Sequence, residues 1–337
     1  MRKVLLATTA LATVSAVAAA NAEVSLSGYY KFIYASVSDN TSTDRDGMSA
    51  DTEVAVKFST TADSGFTFGM ETQLEGQTGS SDTVDEGFMY ISSAEMGKIT
   101  FGDNDDTFDQ YAHFVPGGQA MSSGGYDGYT GKTAAGATVP SGLVTDAAWT
   151  SGSDSTKISY VSPSLGGLSV GMSYQKDSGT EDALTAMGVS YSTEVEGISL
   201  SMSATTKDTN SDNNTEATNY GLSVGFGDFN VGAAYYNVDA KATTLGTDNY
   251  EGKATSIGAN YKLSDTLTVA YSTTTSEIDA GTNNGDELDT DSFGANYTIA
   301  SGLSLAVAFN SVKYTDSSTT NNSMDSDEIR AELTAKF

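Results

Sequence analysis

Between residues 103 and 109 the run "DNDDTFD" carries four aspartates, Asp103, Asp105, Asp106 and Asp109. Lysines are few. Lys31 stands in "GYYKFIY", Lys57 in "EVAVKFS", and Glu71 follows in "FGMETQ". Carboxylates spaced this closely attract cations and, set opposite lysines, hold a local electric field. By themselves they break no bonds. The parts for covalent chemistry are missing. His113 is the single histidine and cysteine is absent. No nucleophile elbow on a strand–turn–helix presents a serine. The Gly-x-Gly occurrences fall inside strand-like or loop-like stretches, away from the strand-to-helix junctions that cradle phosphate. The chain therefore reads as a non-enzyme whose charges act through electrostatics.

The charge balance is one-sided, with 16 basic residues against 44 acidic and a formal net charge of −28. A polyanion is repelled by such a surface, which excludes nucleic acid as a partner. More carboxylates crowd polar segments, Asp44 and Asp46 in "SDNTSTDRDGMSAD" and Asp286 and Asp289 in "SEIDAGTNNGDELD". Hard oxygen ligands suit divalent cations, so a structural Ca²⁺ held by Asp44, Asp46, Asp286 or Asp289 is an expectation. "NNGDELDTD" is no EF-hand, lacking both its spacing and its flanking helices. No other cofactor is expected.

The first 22 residues, "MRKVLLATTALATVSAVAAANA", open on Arg2 and Lys3, continue apolar and end in Ala20-Asn21-Ala22. This pattern reads as a cleaved secretory signal peptide, leaving residues 23–337 as a single domain. Loss of Arg2 and Lys3 leaves 14 basic residues against 44 acidic, a net charge of −30. An exported chain without cysteine has no disulfide to hold it.

A two-residue rhythm is what positions the charges. In "GLSVGFGDFNVGAAYYNV" (221–238), Leu222, Val224 and Phe226 alternate with small residues. A Gly227-Asp228 turn follows, and the alternation resumes at Phe229, Val231, Ala233 and Tyr235. Such a hairpin has one apolar face and one small, polar face. The same grammar recurs at Glu196-Gly197, Ser264-Asp265-Thr266, Ala300-Ser301-Gly302 and Gly166-Gly167, and near Asp63-Ser64-Gly65 and Met96-Gly97. These seven short turns alternate with eight longer polar connections. Sixteen strands result, near 24–38, 52–62, 66–76, 84–95, 97–105, 155–165, 168–177, 183–195, 198–209, 217–227, 229–240, 251–263, 267–277, 288–299, 303–315 and 326–337. Strands of this kind are too many for a sandwich core. They suit an all-β, transmembrane antiparallel barrel with lipid outside and water inside. A wet interior also accounts for a hydrophobic fraction of only 38%.

Three stretches carry a family resemblance: "EVSLSGYYKFIY" (23–34), "GKITFGDND" (97–105), and Phe337 with Leu333 and Ile329 in phase. On these the chain resembles the general diffusion porins of Gram-negative outer membranes, alphaproteobacterial type, along its whole mature length. The resemblance implies a 16-stranded barrel in outer-membrane lipid and lipopolysaccharide, a homotrimer, and passive transport of small hydrophilic solutes. It also implies a long third loop folded into the pore, and Phe337 as the signal read by the barrel-assembly machinery. Ala335 departs from that signal, standing where an aromatic is frequent.

Residues 106–154 independently read as a long connection without strand pattern, and connections of this length are normally functional. They contain His113, Trp149 and three early aromatics, Phe108, Tyr111 and Phe114, expected to hold the loop against the wall. By parity Lys31, Lys57 and Glu71 face the lumen. Asp103, Asp105, Asp106 and Asp109 on the loop would then oppose the wall lysines and set a transverse field at the constriction, with cations preferred. Lys98 also points inward, but near the periplasmic mouth. Two other functions fit the same grammar: a channel selective for sugars or dicarboxylates, and a calcium-dependent surface β-protein.

Overall fold

A computed structural model describes residues 23–39, 45–76, 84–117, 140, 142–147, 155–176, 183–210, 213–242, 250–281, 283–318 and 323–337. The expected leader, 1–22, lies outside them, as do Asp44 and Trp149. Sixteen strands run in chain order: β1 (Glu23–Asp39), β2 (Arg45–Thr61), β3 (Thr67–Gly76), β4 (Val84–Ser93), β5 (Gly97–Asn104), β6 (Ser155–Val161), β7 (Leu168–Lys176), β8 (Ala183–Val195), β9 (Ile198–Asn210), β10 (Asn213–Phe226), β11 (Phe229–Ala242), β12 (Tyr250–Ser264), β13 (Leu267–Ala280), β14 (Glu287–Ala300), β15 (Leu303–Thr315) and β16 (Met324–Lys336). Each pairs antiparallel with its neighbours in sequence, and β1 pairs with β16, so the sheet closes on itself. Closure leaves no strand edge unpaired.

The seven tight turns fall where the alternation breaks. Glu196 (φ 52°) and Gly197 (φ 79°) both take the left-handed conformation. A two-residue type I′ turn requires this, and its twist matches that of the flanking strands. Three strands depart from expectation by four residues or more, β10 by starting at Asn213 rather than 217. β6 stops at Val161 rather than 165, because Pro163 has no N–H to continue the ladder; Leu165 and Leu168 then bridge across the Gly166-Gly167 turn. β2 begins at Arg45 rather than 52, its polar first turn paired as far as Val37↔Arg45. That extension carries only Met48 and Ala50 in phase with Val54 and Val56, a short apolar signal, and backbone hydrogen bonding needs none.

Burial is inverted relative to a water-soluble protein. In β16 Ile329 and Leu333 are exposed, whereas Glu328, Arg330, Glu332 and Thr334 on the opposite parity are buried. Leu26, Phe32, Phe58, Val170, Leu222 and Phe293 are likewise exposed on their strands. So extensive an apolar exterior calls for hydrocarbon around it. No helix among the described residues is long and apolar enough to cross a membrane, so the strands do the crossing. At the seam Gly28 and Phe337 exchange two backbone hydrogen bonds of 3.1 Å.

Candidate functional site

The inner wall has two unlike halves. Across β7–β12 the register aligns Ser169, Ser190, Ser203, Gly221, Ala234 and Ser256 in one row. One step toward the long connections, Gly171, Gly188, Thr205 and Asn219 form the next. This half is small and hydroxylated. The half built from β16 and β1–β5 instead carries Lys31, Asp51, Glu53, Lys57, Glu71, Glu86, Lys98, Arg330 and Glu332 on its inward parity.

The described parts of the long connection after β5, residues 105–117 and 142–147, lie on the small-residue half of the inner wall. The connection opens with a short helix, α1 (Thr107–Tyr111), capped by Asp106, whose Oδ1 accepts the Asp109 N–H at 3.1 Å. The other carboxylate oxygen of Asp106 pairs with Lys207 Nζ of β9 at 2.9 Å, both side chains buried. Thr107 N–H donates to Ser173 Oγ (2.9 Å), and the Tyr111 and Ser169 hydroxyls share a 2.8 Å bond. Phe108 stands edge-on to Tyr236, ring centroids 6.4 Å apart. His113 donates its backbone N–H to Asn219 Oδ1 (2.7 Å), and its ring nitrogens meet Ser203 Oγ (3.3 Å) and Ser223 Oγ (2.8 Å). On the return pass Val144 and Ala147 donate to Ser276 and Ser256, and Asn219 Nδ2 donates to Ala147 O at 2.6 Å. Asn219 thus clasps both passes of the loop. Phe108 and Tyr111 pack as expected; Phe114 does not, remaining 59% exposed.

The candidate constriction residues separate. Lys31 pairs with Asp51 Oδ2 at 2.8 Å, its Nζ 4.2 Å from the Tyr29 ring centroid. Lys57 reaches Glu71 Oε2 at 3.5 Å. Both lysines face inward as expected, but each is answered by a carboxylate on the next strand rather than by a loop aspartate. Asp106 is answered by Lys207, on the wall beneath the loop. Asp103 is the clear departure. It lies in β5 opposite Gly87 and Thr156, on the outer face that carries Met89, Phe101 and Ile158, and Thr156 Oγ1 donates to it. Asp105 is exposed at the loop entrance, its N–H bonded to Glu86 Oε1 at 3.1 Å. Asp109 is partly buried, and its Oδ1 has no hydrogen-bond partner. Burial, with Asp106 close by, pushes its carboxyl up to about 7. Burial pushes His113 down.

Sequence reading missed Lys207, Asp51, Glu86 and the Glu328–Arg330–Glu332 row. The same odd–even counting that placed Lys31 would have found them, since Arg330 alternates with Ile329 and Leu333. The three described calcium candidates, Asp46, Asp286 and Asp289, make separate contacts. Asp286 is buried, accepting from Tyr314 Oη (2.7 Å) and Ser317 N–H (2.9 Å). Asp289 faces the other side of the sheet and accepts from Thr275 Oγ1; Asp46 accepts from Ser36 Oγ. Among the described residues no three acidic or histidine side chains are placed to hold a metal ion.

A closed strand barrel, apolar outside, charged inside and narrowed by its own loop, defines a transmembrane β-barrel channel. Residues 7–317 match the model of the Gram-negative porin family, and the chain belongs to that family, whose members reside in the bacterial outer membrane. None of the curated proteins matches the sequence. Among solved structures, an anion-selective porin from Comamonas acidovorans is similar at 14% identity and a TM-score of 0.68, with 94% of this chain and all of that chain covered. The trimer form of OmpT, an outer membrane protein of Vibrio cholerae, follows at 12% identity and 0.65, with the same coverage. The outer membrane channel DcaP of Acinetobacter baumannii is similar at 13% identity and 0.63, covering 94% of this chain and 98% of that one. At these identities the likeness is one of fold.

Proposed function

We propose that the protein is a passive, cation-preferring channel for ions and small hydrophilic solutes, working as a homotrimer in outer-membrane lipid and lipopolysaccharide. The observation that carries this reading is the charged half of the inner wall. There the carboxylates Asp51, Glu53, Glu71, Glu86, Glu328 and Glu332 outnumber the cations Lys31, Lys57, Lys98 and Arg330, and Lys31 and Lys57 are each matched by a neighbouring acid. Fixed charge at the edge of a narrow water column, backed by lipid, selects for the opposite sign. The net charge of −28 acts in the same direction at both mouths. The similar Comamonas barrel is described as anion-selective, so wall chemistry rather than fold must decide the sign.

Reversal potentials in planar bilayers under a KCl gradient test the reading: cation preference is expected, and anion preference refutes it. Replacing Lys31 and Lys57 together by glutamine raises cation preference if both border the ion path; an unchanged ratio removes them from it. The trimer form of the similar Vibrio protein supports a trimeric assembly here, expected as heat-modifiable migration in detergent. The exposed row Ile329, Leu333 and Phe337 fits recognition by the barrel-assembly machinery.

A further inference from the structure

We propose that Gly221 and Gly188 set the aperture of the channel, by letting the third connection lie flat against the inner wall. The proposal rests on the channel reading. Neither glycine has the positive φ that only glycine tolerates well, so backbone conformation does not explain them. Glycine inside a strand costs stability and offers no side chain to pack. What explains them is the loop above. A Cβ on Gly221 would lie 2.4 Å from His113 Cδ2 and 2.6 Å from His113 Cγ, nearer than the 2.8 Å to Ala233 O on the neighbouring strand. A Cβ on Gly188 would lie 2.5 Å from Tyr111 Cγ and 2.7 Å from Tyr111 Cβ. Carbon atoms rest about 3.5–4 Å apart, so each ring would have to retreat by about 1 Å or more. Neither ring retreats alone. His113 is tied by Ser203, Ser223 and the Asn219 bond to its backbone, and Tyr111 by Ser169. The displacement therefore passes to the loop and pushes it away from the wall, toward the water path. Gly87 of β4 is the contrast, since a Cβ there meets nothing nearer than 4.0 Å.

The test is a double-mutant cycle read in single-channel conductance and in uptake of sugars of graded size by liposomes. Gly221→Ala is expected to lower conductance and to shift the size limit toward smaller sugars. In a His113→Ala background the same change should alter both less, because the ring that the methyl strikes is gone and only the approach to Ala233 O remains. Gly87→Ala should match the parent. A Gly221→Ala chain that folds only together with His113→Ala supports the seat equally. The proposal is overturned if Gly221→Ala conducts like the parent, conducts more, changes conductance by the same factor in both backgrounds, or fails to fold in both. Gly188→Ala with Tyr111→Ala runs the cycle a second time at an independent position. A parent chain with no conductance at all would instead refute the channel reading itself.

Discussion

Asp109 and His113 sit four residues apart on the docked loop, and burial moves them in opposite directions. For Asp109 the raised value means that the docked loop holds a proton the undocked loop has released. Docking is therefore favoured at low pH and weakens as pH rises from about 4 toward 7. For His113 the lowered value means that the undocked ring binds a proton first. Docking weakens as pH falls below about 6.5, because both ring nitrogens then become donors in a buried site. The alkaline limb, from Asp109, ends near pH 7 and the acid limb, from His113, begins near pH 6.5; below that the two oppose each other, so open-channel noise in the parent should rise between about pH 6.5 and 7 and level off beyond. Asp109→Asn should remove the alkaline limb and His113→Gln the acidic one; pH-resolved current-noise spectra check both. Parity counting in the sequence was enough to aim Lys31, Lys57 and Glu71 inward. It did not reveal their partners, because Lys31 meets Asp51 only through the register between β1 and β2, which no local pattern encodes. Asp103 was misread for a different reason. The stretch 97–105 already reads as strand, but odd–even counting was not carried from the inward Lys98 to Asp103, which it places on the outer face.

At the level of strands, the alternation that betrayed the hairpins also fixes what each position tolerates. Val307 of β15 is 44% exposed on the outer face, whereas Ser304 of the same strand looks inward. Val307→Arg should destabilise the barrel by about 2–4 kcal/mol if it lies near the bilayer midplane, and by less toward an interface. Ser304→Arg should cost little stability and shift ion selectivity toward anions. Urea unfolding in liposomes, paired with reversal potentials, separates the two effects. Turns and apolar rows were legible because each is a local matter of glycine and side-chain parity. The extra lengths of β2 and β10 were not, since they carry at most two apolar residues, Met48 and Ala50, and pairing with the neighbouring strand holds them in the sheet.

For the molecule as a whole, selectivity arises from fixed charges next to mobile ions, so it must fade as salt screens them. The Debye length falls from about 10 Å at 0.1 M to about 3 Å at 1 M. The cation-to-anion permeability ratio should therefore drop steeply between those concentrations; a ratio that ignores salt would assign selectivity to pore width rather than charge. The strand count and the inside-out partition could be read from the sequence. The unequal halves could not, because they appear only once residues far apart in the chain are brought into rows. That inequality leaves the two properties of the channel separately adjustable. Strands β7–β12 must stay small to keep the loop in place, while β16 and β1–β3 can exchange acids for bases without disturbing it; on β4, Glu86 holds the loop entrance through the Asp105 N–H. A lineage can thus change which solutes it admits while holding constant how large they are, and an engineer can do the same.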